Sequence, residues 1–255
     1  MAPQPQRLRW FTFAAPSRFY TLAGALVPWL WAAAAVLGAA GLYIGFFVAP
    51  TDAQQGEAYR IIFIHVPAAW MSMLIYAVMA GWAALGYVFN ARMAAMLARA
   101  LAPTGALATC VALVTGAFWG QPTWGTWWVW DARLTSELML LFLYLAYMAL
   151  VTSIDDPRRA DQAGALLAIV GVANLPVIYF SVRWWNTLHQ GASVSMTAAP
   201  KMADTMFAAL LLMSLAFWAY AAAVSLTRAR AIVLEREADA EWVRERVAAG
   251  RERAA

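Results

Sequence analysis

Apolar residues along this chain neither alternate nor recur with a narrow amphipathic period; they run on in blocks. Six such blocks fall near residues 27–48, 66–89, 101–119, 134–152, 164–181 and 205–227. Each is close to the ~20 residues that carry a helix across ~30 Å of hydrocarbon. In hydrocarbon, backbone amides must be satisfied within their own segment, so runs of this length predict helices rather than barrel strands. The expectation is an all-α integral membrane protein with six transmembrane helices in a single domain spanning residues 1–255.

The first block, VPWLWAAAAVLGAAGLYIGFFV, follows Arg7, Arg9 and Arg18. It is longer than the apolar core of a cleaved signal peptide and is therefore expected to stay as an anchor. Residues 8–26 mix Trp10, Phe11, Phe13, Phe19 and Tyr20 with arginines, a pattern suited to lying along the headgroups before the chain turns inward. Pro176, behind Asn174, is expected to kink the fifth span and aim the loop after it.

Polar positions set the orientation. Fourteen of the eighteen lysines and arginines lie in the N-terminal tail, at 90–100, at 153–163 and from Arg228 onward; Arg60, Arg133, Arg183 and Lys201 occupy the other connections. By the positive-inside bias both termini are cytoplasmic. Of the 255 residues, 64% are hydrophobic and 13% charged, against roughly 25% charged in soluble domains. The sequence pI near 9.5 reflects that asymmetry and not nucleic-acid binding, because the bases are dispersed among acids. Cys110 is the lone cysteine, which excludes an intrachain disulfide. No Walker loop is present, so ATP hydrolysis would belong to another chain. Residues 228–255 alternate charge on a helix-forming background and read as a solvated cytoplasmic tail.

With this topology the connections at 49–65, 120–133 and 182–204 share the outer face. The second of them forms a tryptophan-rich outer loop, WGQPTWGTWWVWDARLTSE, with five tryptophans within twelve residues. Were the segment helical, Trp124, Trp127, Trp128 and Asp131 would form one stripe at i, i+3, i+4 and i+7. Gly120 and Pro122 would start it, Gly125 would leave room for close approach, and Asp131 would cap the fourth span. Interfacial anchoring alone would account for scattered tryptophans. A cluster this dense reads instead as a stacking surface, to which Trp184 and Trp185 add two more indoles.

The only two histidines, His65 and His189, fall on that same face. Zinc usually takes three or four protein ligands, and no cysteine or carboxylate cluster is at hand. Two imidazoles instead suit the axial positions of a haem iron, whose macrocycle supplies the other four donors. Haem propionates would want cations; Arg60 and Arg133 are the candidates, with Arg183 less well placed. Each could equally snorkel to headgroups or pair locally, as Arg133 would with Glu137 one turn later. Glu137 lies just inside the fourth span and should face the bundle interior.

At these residues the chain resembles a known family. WGTWWVWDARLTSELMLLFLY resembles the WWD signature of the haem-handling membrane proteins of cytochrome c maturation. YRIIFIHVPAAW and NLPVIYFSVRWWNTLHQG are similar, more narrowly, to the cytochrome c maturation protein C (haem exporter protein C) family. The resemblance implies a protein of the bacterial inner membrane that holds haem b at its periplasmic face and is not itself an enzyme. His65 and His189 would be its axial pair, and Trp124, Gly125, Trp127, Trp128, Trp130 and Asp131 its WWD residues. The implied partners are the periplasmic haem chaperone protein E, the ATP-binding cassette proteins A and B, and the small membrane protein D. Two rivals remain: a haem-b anchor subunit of a respiratory complex, and a transporter or structural subunit whose tryptophans only anchor the membrane boundary.

Overall fold

The structure is a computed structural model and describes residues 15–189, 194 and 199–254. The described residues form no sheet; one bridge joins Asp52 to Gly56, and helices with short connections make up the rest. Helix α1 (Pro16–Tyr43) ends in a wider π turn, Ile44–Val48, and a 3-10 turn, Glu57–Ile61, leads into α2 (Ile62–Phe89). Then come α3 (Arg92–Trp124), α4 (Ala132–Ser153), α5 (Pro157–Gly171), α6 (Asn174–Trp184), α7 (Asp204–Arg236) and α8 (Glu241–Ala254). Taking α5 and α6 as one span, six segments are long and apolar enough to cross a bilayer. The protein is a multi-pass membrane protein.

Burial separates centre from periphery. In α2, 56% of the most apolar stretch is buried within the protein; in α1 the figure is 11%. Helix α2 is thus the central post, packed on α3, α5 and α7, whereas α1 leans mainly on α7 and turns Trp29, Val36 and Tyr43 outward. Since lipid offers no hydrophobic drive between helices, close approach rests on small residues and shape. Gly105 and Gly171 mark the two tightest places. A Cβ on Gly105 would stand 2.1 Å from Tyr144 Cζ, and one on Gly171 would stand 2.0 Å from Tyr76 Oη. The two tyrosines meet edge to face at 5.0 Å in the middle of the bundle.

The helices outrun the apolar blocks. The third, for example, extends from 101–119 to Arg92–Trp124, because helical hydrogen bonding continues past the hydrocarbon wherever no breaker intervenes. Residues 16–26 do not lie apart along the headgroups. They are the start of α1, which opens with Pro16 at its first position, where a fixed φ and a missing N–H cost nothing. Residues 8–14 of that expected segment fall outside the described residues. The fifth span is interrupted as expected: Pro176 has no N–H for the Val172 carbonyl, and tight turns at Val172 and Ala173 separate α5 from α6.

The tail also departs from a free solvated helix. Val243 of α8 is buried, and Trp242 packs with Phe19 against a small cluster of Met93, Met96 and Val233. Three links tie this end of the bundle: Arg236 grips Asp161 through two bonds of 3.0 and 3.1 Å, Arg92 pairs with Glu237, and Arg99 donates to the Val151 carbonyl.

Gly105→Ala is expected to destabilise the protein by about 1–3 kcal/mol, because the rigid, buried Tyr144 ring cannot retreat. Gly81→Ala, whose new methyl would meet nothing within 4 Å, should be neutral or stabilising by about 0.5–1 kcal/mol. Thermal unfolding in detergent of the two variants beside the wild type reads the difference.

Candidate functional site

At the end of the bundle opposite its termini, four helix ends enclose a cleft. It holds about 680 Å³ of space not filled by atoms, counted to its open mouth. Helix α2 contributes His65 in its first turn and Ala69 one turn on. Helix α3 contributes Ala112, Gly116, Trp119 and Thr123, which recur every three or four residues and so share one face. Trp124 and Trp128 close the top; Arg133 and Glu137 enter from the first turns of α4, and His189 from the segment after α6.

His65 is fixed from behind. Its Nδ1 lies 3.1 Å from Thr115 Oγ1, and that hydroxyl spends its proton on the Val111 carbonyl at 2.6 Å. With the hydroxyl proton on that carbonyl, the tautomer that donates from Nδ1 satisfies both groups and leaves the Nε2 lone pair for a ligand. Gly116 makes room for the ring: a Cβ there would be 3.1 Å from His65 Cε1. Trp119 stands edge-on to the imidazole at 5.5 Å and donates its own N–H to Gln55 Oε1 at 2.6 Å, tying the first outer loop to the site.

His189 comes to the same place from 124 positions away in sequence. Its ring centroid is 6.4 Å from that of His65, the planes differing by 34°, and 6.1 Å from the ring of Trp124. Its backbone N–H is held by Thr187 Oγ1 at 2.9 Å. Among the described residues no group of three or more His, Cys, Asp or Glu side chains converges.

The tryptophans are not a single helical stripe. Helix α3 continues through Pro122 and ends at Trp124, because Gly125 adopts φ +74°, a left-handed conformation that closes a helix with its N–H on the Gln121 carbonyl. The irregular segment beyond folds back over Gly120, where a Cβ would be 3.1 Å from the Thr126 carbonyl. Of the WWD residues, Trp124 and Trp128 line the cleft. Trp127 and Trp130 are exposed and packed edge to face, on Phe118 and Trp128 respectively. Trp184 and Trp185 are also exposed, outside the lining. Asp131 caps α4 as expected, accepting from the Leu134 N–H at 2.8 Å. Its other oxygen, and Trp128 Nε1, are buried without a hydrogen-bond partner among the described residues.

The two expected cations part company. Arg133 lines the cleft and donates to the Ile178 carbonyl of α6 at 3.1 Å; it forms no ion pair with Glu137. Arg60 is not in the lining. Its guanidinium is taken up by Glu57 and by the Gly45 and Ala49 carbonyls, at 2.5 and 3.1 Å, where α1 ends. The reason is local: a helix C-terminus offers unpaired carbonyls and negative partial charge, and Glu57 sits three residues before Arg60. Glu137 does face inward, its Oε1 2.7 Å from the Ser72 hydroxyl. Sequence reasoning did not single out Thr115 or Gly116, and counted Trp119 only as the first of the five clustered indoles. Their signal was the spacing of small and polar residues with one tryptophan along an otherwise apolar span.

The sequence profile of the heme exporter protein C family matches residues 9–244. The chain is 48% identical over 237 residues to heme exporter protein C of Escherichia coli (strain K12), an alignment covering 91% of this chain and 94% of that protein. Over 205 residues it is 50% identical to heme exporter protein C of Bradyrhizobium diazoefficiens, covering 80% and 77%. The Paracoccus denitrificans protein of the same name is 40% identical over 234 residues, covering 91% and 97%.

Asp131→Ala is expected to lower stability by about 1 kcal/mol through loss of the α4 cap, while Asp131→Asn, which can cap equally well, should not. Thermal melts of the two variants without added ligand separate capping from any other role of the residue.

Proposed function

Because the chain belongs to the heme exporter protein C family, we propose that it is a haem-handling subunit of cytochrome c maturation. It holds haem b at the periplasmic face of the bacterial inner membrane and passes it to the periplasmic chaperone, protein E. His65 and His189 are the axial pair. With metal–nitrogen bonds of about 2 Å and ring centroids about 1 Å further out, two imidazoles on one iron lie ~6 Å apart. The 6.4 Å between these rings is the observation that carries the reading. An orphaned donor, Trp128 Nε1, and the cation Arg133 lie at the same cleft and suit the propionates of a porphyrin.

Each residue then has a task. Thr115 fixes the His65 tautomer so that Nε2 faces the iron. Trp124 and Trp128 give the macrocycle apolar walls, with Gly125 placing Trp128 by ending α3. Asp131 sets the start of α4 and, through it, Arg133. Arg60 acts at one remove, holding the end of α1 beside the helix that carries His65. Exposed Trp127 and Trp130 leave an aromatic rim open to an arriving protein. Release requires loss of at least one imidazole bond, and His189, on a segment beyond the last turn of α6, is the ligand with fewer constraints from regular structure. The protein carries out no catalytic step of its own. Proteins A and B supply ATP hydrolysis, and protein D completes the assembly.

His65 lies on a spanning helix, as in a respiratory haem anchor, and fast reduction of bound haem by a quinol would favour that role instead.

The purified wild type is expected to show a Soret band, strongly diminished in His65→Ala and in His189→Ala. Thr115→Val should keep much of the haem but broaden the spectrum of its low-spin iron, because the imidazole loses its side-chain hydrogen-bond partner. Unchanged haem content in both histidine variants, by absorption and pyridine haemochrome, would remove the axial assignment.

A further inference from the structure

The opposite end of the bundle holds a second cavity, between the first turns of α1 and helix α8. Ser17, Arg18, Tyr20, Trp242, Glu245 and Arg246 are among its walls. We propose that this cavity binds the phosphodiester headgroup of an anionic phospholipid, with Arg18 and Arg246 as its cations.

The charges are arranged for an anion. Among the described residues Glu245 is the only acid in the walls, against two arginines. Among the described residues no carboxylate lies within ion-pair distance of Arg18, Arg230 or Arg246. The fifteen residues ahead of α1 contain no Asp or Glu. Tyr20 organises the cluster: the Arg230 guanidinium lies 4.3 Å from its ring centre and that of Arg246 4.9 Å, while Trp242 packs 5.8 Å away. A guanidinium held over a ring face keeps its in-plane N–H edges available for phosphate oxygens. Arg230 Nε is buried there without a partner among the described residues. Gly24 permits this arrangement, since a Cβ on it would be 3.1 Å from the Arg230 guanidinium.

Position argues for a lipid over a free anion. Leu22 and Ala25 are further walls of the same cavity, and exposed Leu26 and Trp29 continue that apolar face along α1. A headgroup among the arginines would therefore lay its acyl chains along a helix face that is already apolar and outward. Helix α8 is fixed against the bundle by buried Val243, so Arg246 is presented at a set height and not on a loose tail. Basic pockets at the end of spanning helices are suited to anionic headgroups, and the interfacial tryptophan belongs at that depth.

The test is native mass spectrometry of the full chain in detergent, titrated separately with phosphatidylglycerol, phosphatidylethanolamine and inorganic phosphate. Phosphatidylglycerol adducts should exceed phosphatidylethanolamine adducts by at least about fivefold, the factor expected of one arginine at an anionic surface. They should be lost in Arg18→Gln/Arg246→Gln and retained in Arg158→Gln/Arg159→Gln, a control at two other basic positions; Arg18→Gln alone reads the same loss if the double variant does not fold. Equal binding of the two lipids, or undiminished phosphatidylglycerol binding in both cavity variants, overturns the proposal. Displacement of phosphatidylglycerol by millimolar inorganic phosphate also overturns it, by showing a free-anion site.

Discussion

No backbone amide can be left unpaired in hydrocarbon, and the rest of this protein follows from that constraint. It forces hydrogen-bonded helical turns through the membrane, continuous except at the Val172–Ala173 break of the fifth span, and drives irregular backbone, with its freedom to aim side chains, to the helix ends. The candidate site is built from four such ends. His65 stands in the first turn of α2, Trp124 in the last of α3, Asp131 at the cap of α4, and His189 beyond α6. None of these positions is available mid-span, where only side chains on regular faces can contribute. What the spans themselves supply is the back wall: Thr115, Gly116 and Trp119 on one face of α3.

Much of this was readable from the amino acids, and the reasons are physical. Six apolar blocks give six crossings because length and hydropathy are the conditions for crossing. Asp131 as a cap, Pro176 as the origin of the broken fifth span and the meeting of His65 with His189 follow equally from residue type and topology. Two things were not readable. A helical period imposed on Trp124, Trp127, Trp128 and Asp131 fails because Gly125, which has no Cβ penalty at positive φ, ends the helix just where the stripe would begin. Arg60 fails as a lining residue because its nearest needs are met by Glu57 and by the carbonyls at the end of α1, a pairing that depends on where that helix stops.

The interior is more polar than its hydropathy implies. The Ser72 hydroxyl lies 2.7 Å from Glu137 Oε1 and 2.8 Å from the Ala69 carbonyl, and Tyr144 Oη donates to the Ser72 carbonyl at 2.8 Å. These contacts run from the cleft into the centre of the bundle, towards Tyr76 and the two glycines that admit the tyrosine rings. A hydrogen-bonded line of this kind specifies the register of α2 against α4 more sharply than apolar packing does, because each misplaced partner would be left unpaired in a medium without water.

The break at Val172 and Ala173 turns the eleven residues of α6 into a short lever. At 1.5 Å per residue it is about 16 Å long, so a tilt of ~5° at the break moves its far end by more than ~1 Å. That end leads directly to His189, while the Ile178 carbonyl gripped by Arg133 lies near the middle of the arm. The inner half of the same span is pinned through Asp161 and cannot follow. The tilt of the outer half-helix is thus geared to the position of His189, one of the two rings that face each other across the cleft.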